Sequence, residues 1–371
     1  MEITTDIEGG NGDVQYCYGD EAGITIRPDP GAVAQQWFHA RVQTDSKAPH
    51  RIVIANAGEC TYADAFEGYR ACASYDGSRW FRVRTTYDGR ELVITHAPRA
   101  RFVHYAYFAY YSEARRARLQ RQVRRVPWAK IERIGESVRG RPLDVLTFGE
   151  DDADLHLWLV ARQHSGEAMA EWLAEGFVGR LLDDDDEMVR AVLSKAAVHV
   201  VTCANPDGAA MGHQRANAAG VDPNRAWSDP EDAPEIAAIR AAMDGTGVDL
   251  FLDVHGDERD PYCFLAGCEG NPSYSSRIRL LESVFEESLC TTNPDFQDEF
   301  GYDRDEPGEG DLRTASNWVG ERYDCLSYTL EMPFKDNANA PDDRRGWSPE
   351  RSAHLGHDVV SAMAETLPML R

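Results

Sequence analysis

Leu155-His156-Leu157-Trp158-Leu159-Val160-Ala161-Arg162-Gln163-His164-Ser165-Gly166-Glu167 is the stretch on which the reading of this chain turns. Its first half is a short, mostly apolar run, as expected of a strand in a largely buried sheet. Its second half turns polar and leads into a helix-like segment, Gly166–Leu182. The alternation recurs downstream. Val198–Cys203, Leu250–Val254 and Cys325–Leu330 read as strands, and Pro234–Met243, Ser275–Leu289 and Ser348–Leu367 as helices. Strands alternating with helices describe an α/β domain.

Upstream the texture differs. Ile24–Arg27, Trp37–Val42, Phe81–Arg84 and Glu91–Ile94 are strand-like, and Asp76-Gly77 and Asp88-Gly89 are hairpin punctuation. Phe102–Tyr111 is one aromatic, β-favouring run. This part reads as an antiparallel β-sandwich. Glu113–Arg125 is Arg-rich, lacks Gly and Pro, and reads as a connecting helix, with Pro127 after it. The expected division is a β-sandwich over residues 1–112 and an α/β domain over residues 113–371.

The chain has 371 residues, long enough for two domains, and 42% of them are apolar. Its net charge of −24 disfavours nucleic acid and anionic membranes as partners, though a local cationic pocket can still oppose that field. The eight cysteines are scattered without a CxxC pair, which points to free thiols in a reducing compartment. Residues 1–6 lack the features of a signal peptide, and no apolar stretch approaches the length of a bilayer. A soluble, cytoplasmic protein is expected. The acidic run Asp183–Glu187 reads as a solvated helix end rather than a metal site.

Four polar clusters carry chemistry. His164 and Glu167 are three residues apart at the entry to a helix or tight turn, so both side chains reach one face. An imidazole and a carboxylate are two of the three protein ligands of a catalytic zinc, although a chance pairing gives the same pattern. His255 closes the strand Leu250–Val254, where side chains project into the crevice of an open sheet; a strand-capping histidine is the alternative. Arg215, Asp222, Asn224 and Arg225 lie in or after the Gly-bounded loop 212–220. An arginine fork pairs with a carboxylate, and Asp222 is a candidate acceptor for the spare N–H of His164. Glu331 interrupts an apolar strand, where a carboxylate needs a partner, a proton or a catalytic task as general base.

With these residues in hand, the chain resembles the zinc metallocarboxypeptidases, in particular their cytosolic-carboxypeptidase-like branch. The resemblance rests on His164–Glu167, Asn205–Gly208, Val221–Trp227, Asp253–Glu258 and Thr329–Phe334. It covers the C-terminal two-thirds, and a preceding β-domain suits the same branch. It implies a mixed-sheet α/β/α catalytic domain and one zinc ion per chain, held by His164, Glu167 and His255 with Asp222 behind the first histidine. It implies that Asn224 and Arg225 grip a terminal carboxylate, that Arg215 stabilises the oxyanion, and that Glu331 is the general base. Pro223 and Ala226 depart from the Leu and Glu often found there, and no counterpart of a substrate-covering tyrosine is evident.

The implied activity is hydrolysis of the C-terminal bond of peptides or protein tails. The alternatives are a deacylase acting on N-acyl amino acids and an inactive peptide-binding module. The branch is associated with acidic C-terminal residues, which call for a basic pocket residue; Arg313 and Lys335 lie in the right part of the chain. For the N-terminal domain a buttressing role is expected. Oligomeric state is not legible.

Overall fold

Side chains along the strand Leu155–Ala161 alternate between two apolar cores. Leu155, Leu157, Leu159 and Ala161 join one; Trp158 and Val160 join the other on the opposite face. That period of two is the geometry of a strand covered on both sides. The computed structural model, which describes residues 1–150 and 152–370, makes it the middle of a seven-stranded mixed sheet. Across that sheet the order is Ala129–Glu136, Pro142–Phe148, Ala196–Val201, Leu155–Ala161, Leu250–Val254, Leu326–Glu331 and Phe264–Ala266. The four strands from Ala196–Val201 to Leu326–Glu331 run parallel, and the flanking pairings are antiparallel.

Helices Met169–Leu181, Ser276–Thr292 and Pro349–Thr366 contribute Trp172, Phe177, Phe285, Leu355 and Val359 to the core on one face. Helices Pro234–Thr246 and Ala315–Tyr323 contribute Ile236, Ile239, Met243 and Val319 on the other. The result is an α/β/α sandwich.

Before it stand two five-stranded sheets. One runs Glu2–Thr4, His39–Gln43, Phe102–Ala106, Cys72–Ser74, Trp80–Arg82; the other Asp13–Tyr18, Glu21–Thr25, His50–Ile54, Leu92–His96, Arg84–Tyr87. All neighbours are antiparallel except Glu21–Thr25 with His50–Ile54. The aromatic run expected as one strand ends its pairing at Ala106. Tyr107–Tyr111 instead packs against the second half of the molecule. Tyr107 stacks on Phe334 at 4.7 Å between ring centres, and Tyr111 meets Trp172 edge-on at 4.9 Å. One apolar core therefore runs through both sheet systems.

The edge strand Ala129–Glu136 escaped the sequence reading because its exposed positions carry Lys130, Glu132 and Arg133, which blur the apolar pattern. The helix Ala315–Tyr323 escaped for its shortness and polarity. Asp183, Asp184 and Asp185 are all exposed, ahead of Asp186, which caps a short helix through the amides of Met188 and Val189. Among the described residues no helix is long and apolar enough to cross a membrane.

Candidate functional site

The parallel strands end at one edge of the sheet, and the polar clusters gather there, as ligand sites do in open α/β sheets. His164 and Glu167 follow Leu155–Ala161 in a tight turn closed by the Glu167 amide on the His164 carbonyl (3.2 Å); the helix begins only at Met169. A glycine is required inside that turn. A Cβ on Gly166 would stand 2.3 Å from the Gln214 side chain and 3.0 Å from its Cα. His255 follows directly on Leu250–Val254, and Glu331 is the last residue of its strand.

Around the centre the ligand-capable atoms of His164, Glu167 and His255 lie within 4.8 Å of one another, all buried. The two Nδ1 atoms are 3.1 Å apart. Glu167 spans them, with Oε1 2.7 Å from His164 Nδ1 and Oε2 2.7 Å from His255 Nδ1. Each ring turns its other nitrogen outward: His164 Nε2 to Asp222 Oδ1 (2.9 Å), His255 Nε2 to Asp253 Oδ2 (2.8 Å). Each ring is thus flanked by carboxylates on both nitrogens, Glu167 at Nδ1 and Asp222 or Asp253 at Nε2. The two Nδ1 atoms and the Glu167 carboxylate lie so close together that a cation or protons must sit among them. The donor set and its outer carboxylates suit zinc.

The titration tendencies express the same crowding. Burial works against a charged His255, yet Asp253 and Glu167 outweigh it and hold the ring well above its ordinary value. Burial would raise Glu167, but the two imidazoles hold it down at about 2. Glu331 has no such support. Burial pushes it well above the usual carboxyl range, opposed by His255 and reinforced by Glu167 and Asp257. Its Oε1 accepts from the Tyr302 hydroxyl (3.1 Å), and its Oε2 is buried without a hydrogen-bond partner.

Arg215 donates from Nε to Asp222 Oδ2 (2.6 Å), so one carboxylate ties the arginine to His164. Asn224 is largely committed: its Oδ1 accepts from the Ala315 amide (2.7 Å), and its Nδ2 faces His255 Nε2 (3.2 Å). Arg225 donates to the Asn224 carbonyl (2.7 Å), approaches Asp311 at 4.0 Å and also lines the cavity. These residues and Glu331 line one cavity of about 470 Å³. The structure thus brings His164, Glu167, His255, Arg215, Asn224, Arg225 and Glu331 together around this cavity with Asp222 behind them; Arg313 and Lys335 do not line it.

Three lining residues went unsuspected. Tyr62, from the N-terminal half, lies 3.3 Å from Arg215 Nη1, and its hydroxyl is pushed by burial up to about 12. Glu258, pushed far up by burial with Glu167 and Asp257 adding to it, accepts from Gln214 (2.6 Å). Tyr302 reaches in from an acidic loop and bonds Asp257 (2.8 Å) and Glu331. Glu258 belongs to a motif already quoted and was within reach of the sequence. Tyr62 and Tyr302 carry no local signal.

Comparison with known proteins agrees with this architecture. A family model described as zinc carboxypeptidase matches residues 118–352, and one described as cytosolic carboxypeptidase N-terminal domain matches residues 3–108. A metallo-carboxypeptidase of Pseudomonas aeruginosa is 43% identical, covers 100% of both chains and superposes with a TM-score of 0.95. One from Burkholderia cenocepacia is 40% identical over 99% of both chains, also with a TM-score of 0.95. An uncharacterized protein of Zymomonas mobilis is 39% identical over 100% of this chain and 97% of its own length.

Proposed function

The chain belongs to the zinc carboxypeptidase family, and from that premise we propose that it removes C-terminal residues from peptides or protein tails with one zinc ion held by His164, Glu167 and His255. The observation that carries this reading is the convergence of two imidazole nitrogens and a carboxylate within 4.8 Å, beside the unpartnered carboxyl oxygen of Glu331. Zinc held there would supply Lewis-acid polarisation to the scissile carbonyl and to the attacking water.

This chain's side chains do the rest. Arg225, with donors to spare, grips the terminal carboxylate, and Asn224 backs it by fixing that corner to Ala315. Arg215 neutralises charge on the carbonyl oxygen, aimed by Asp222 and by the Tyr62 hydroxyl. Glu331 takes the proton of the attacking water and passes it to the leaving amine; burial raises its proton affinity, which favours the first transfer. The Tyr302 hydroxyl orients Glu331.

Glu331→Gln tests the assignment. Zinc content should stay at one per chain while turnover of a free-acid peptide falls by about 10⁴-fold or more. Near-normal turnover would make another residue the base, and hydrolysis of N-acyl amino acids in preference to peptides would make the enzyme a deacylase.

An acidic preference, associated with the cytosolic branch, needs a cation beside the leaving side chain. Arg313 pairs with its neighbour Asp311 at the surface, and Lys335 donates to the Glu67 carbonyl. Neither supports that preference. The Pseudomonas relative is in complex with (2-guanidinoethylmercapto)succinic acid, a dicarboxylate with a cationic arm.

A further inference from the structure

Behind His255 lies a row of buried polar groups that never reaches the cavity. Gln163, Trp227 and Asp253 are fully buried, and none of them lines the site. Gln163 stands one residue before His164, and its carbonyl accepts from Asn205 Nδ2 (3.2 Å). Its side-chain amide has one acceptor end and one donor end, so its neighbours decide which way it points. The indole N–H of Trp227 can only donate, and it reaches Gln163 Oε1 at 2.8 Å. Gln163 Nε2 is thereby turned to Asp253 Oδ1, 2.6 Å away. The indole is itself packed against Phe251 and Trp318, with ring centres 5.9 and 5.8 Å apart.

Asp253 and His255 are two residues apart, so the strand period places them on one side. A buried carboxylate needs donors. Gln163 serves Oδ1, and Oδ2 lies 2.8 Å from His255 Nε2. Among the described residues no donor outside that ring reaches Oδ2. The same ring nitrogen has a second neighbour. Asn224 Nδ2 comes within 3.2 Å of it, and the Ala315 amide on Asn224 Oδ1 keeps the donor end of Asn224 there. A carboxylate and an amide N–H₂ ask opposite things of one nitrogen. How firmly Asp253 is seated decides between them, and with it how the ring presents Nδ1 to Glu167.

We infer that Trp227 and Gln163 are positioning residues for His255: the indole orients the amide, the amide seats Asp253, and Asp253 sets the ring on which tight metal binding depends. The links act in series, so cutting one should make cutting another nearly free.

The test measures the zinc Kd by competition with a chromophoric chelator. Gln163→Met keeps the length of the side chain and removes its donor; it should raise Kd by about 10- to 100-fold. Trp227→Phe removes the indole N–H and should raise Kd by about threefold to tenfold. The double variant should bind within about twofold of Gln163→Met alone. Trp158→Phe is the control. That buried indole bonds Thr246 and Gly247 (3.3 Å each), away from the site, and its loss should leave Kd unchanged. An unchanged Kd in Gln163→Met, losses that multiply in the double variant, or an equal loss in Trp158→Phe overturns the relay. Should Gln163→Met fail to fold, Trp227→Phe against Trp158→Phe decides: a loss confined to Trp227→Phe upholds the relay, and equal Kd values overturn it. The metal rests on the carboxypeptidase reading. A wild-type chain that takes up no zinc brings down both readings, whereas tight wild-type binding with unchanged variants brings down the relay alone.

Discussion

Two residues before His164, Arg162 holds a φ of 58°, a conformation that costs a non-glycine residue about 1–3 kcal/mol. What keeps it there is a buried charge cluster. The Arg162 guanidinium pairs with Glu171 and donates to the carbonyls of Ser165 (2.9 Å) and Tyr111 (3.2 Å). Arg116 holds the same carboxylate from the other side, at 2.7 and 2.9 Å. Removing the shared acid leaves two buried guanidinium groups facing each other. Glu171→Ala should therefore cost about 3–5 kcal/mol in chemical denaturation; a loss below about 1 kcal/mol would mean that the turn holds its own shape. His164, Glu167, His255 and Glu331 were legible in the sequence because each terminates or follows a strand pattern. The Arg116–Glu171–Arg162 cluster was not, since its members look like ordinary helix and loop charges until the fold removes water from them.

At the scale of elements, the strand ends present the imidazoles and Glu331, but the loop bearing Arg215 has no regular structure to aim it. Asp29 aims it from the N-terminal half, accepting the amides of Gln214, Arg215 and Ala216 at 2.8, 2.7 and 2.8 Å. Burial pushes Asp29 up, and those three bonds oppose the rise without cancelling it. Asp29→Asn replaces an acceptor with a donor that must face an amide. It should lower kcat/KM by about 10- to 100-fold while zinc content stays constant; unchanged kinetics would show that the loop needs no outside clamp. The central strands and long helices were readable within a few residues because apolar periodicity defines them. The clamp was not, because its two halves are almost two hundred positions apart.

The whole molecule carries a pH dependence through its N-terminal sheets. Burial, with His104 adding, lowers His39 to about 3, and burial, with His50 adding, lowers His96 to about 4. A histidine whose folded pKa lies below its unfolded value of about 6.5 contributes full stability above that value. The contribution is lost as pH falls toward the folded pKa, since the unfolded chain takes up the proton first. Acidification from pH 7 to 5 should thus lower the melting temperature by several degrees. Replacing His39 and His96 together by Phe should reduce that pH sensitivity, His50 and His104, both lowered by burial, retaining the rest; an undiminished slope would place the titrating groups elsewhere. At this scale the sequence disclosed two sheet systems but not their shared core, because Tyr107–Tyr111 reads as strand until Phe334 and Trp172 are seen against it.

That seam also sets a timetable. On the ribosome, Tyr107 and Phe108 are made more than two hundred residues before Phe334, the ring that covers them both. At typical elongation rates the interval is roughly 10 to 45 s. Throughout it the ring faces that Phe334 covers stay open, although Phe38, Phe66 and Tyr69 can already close on the rest of Tyr107.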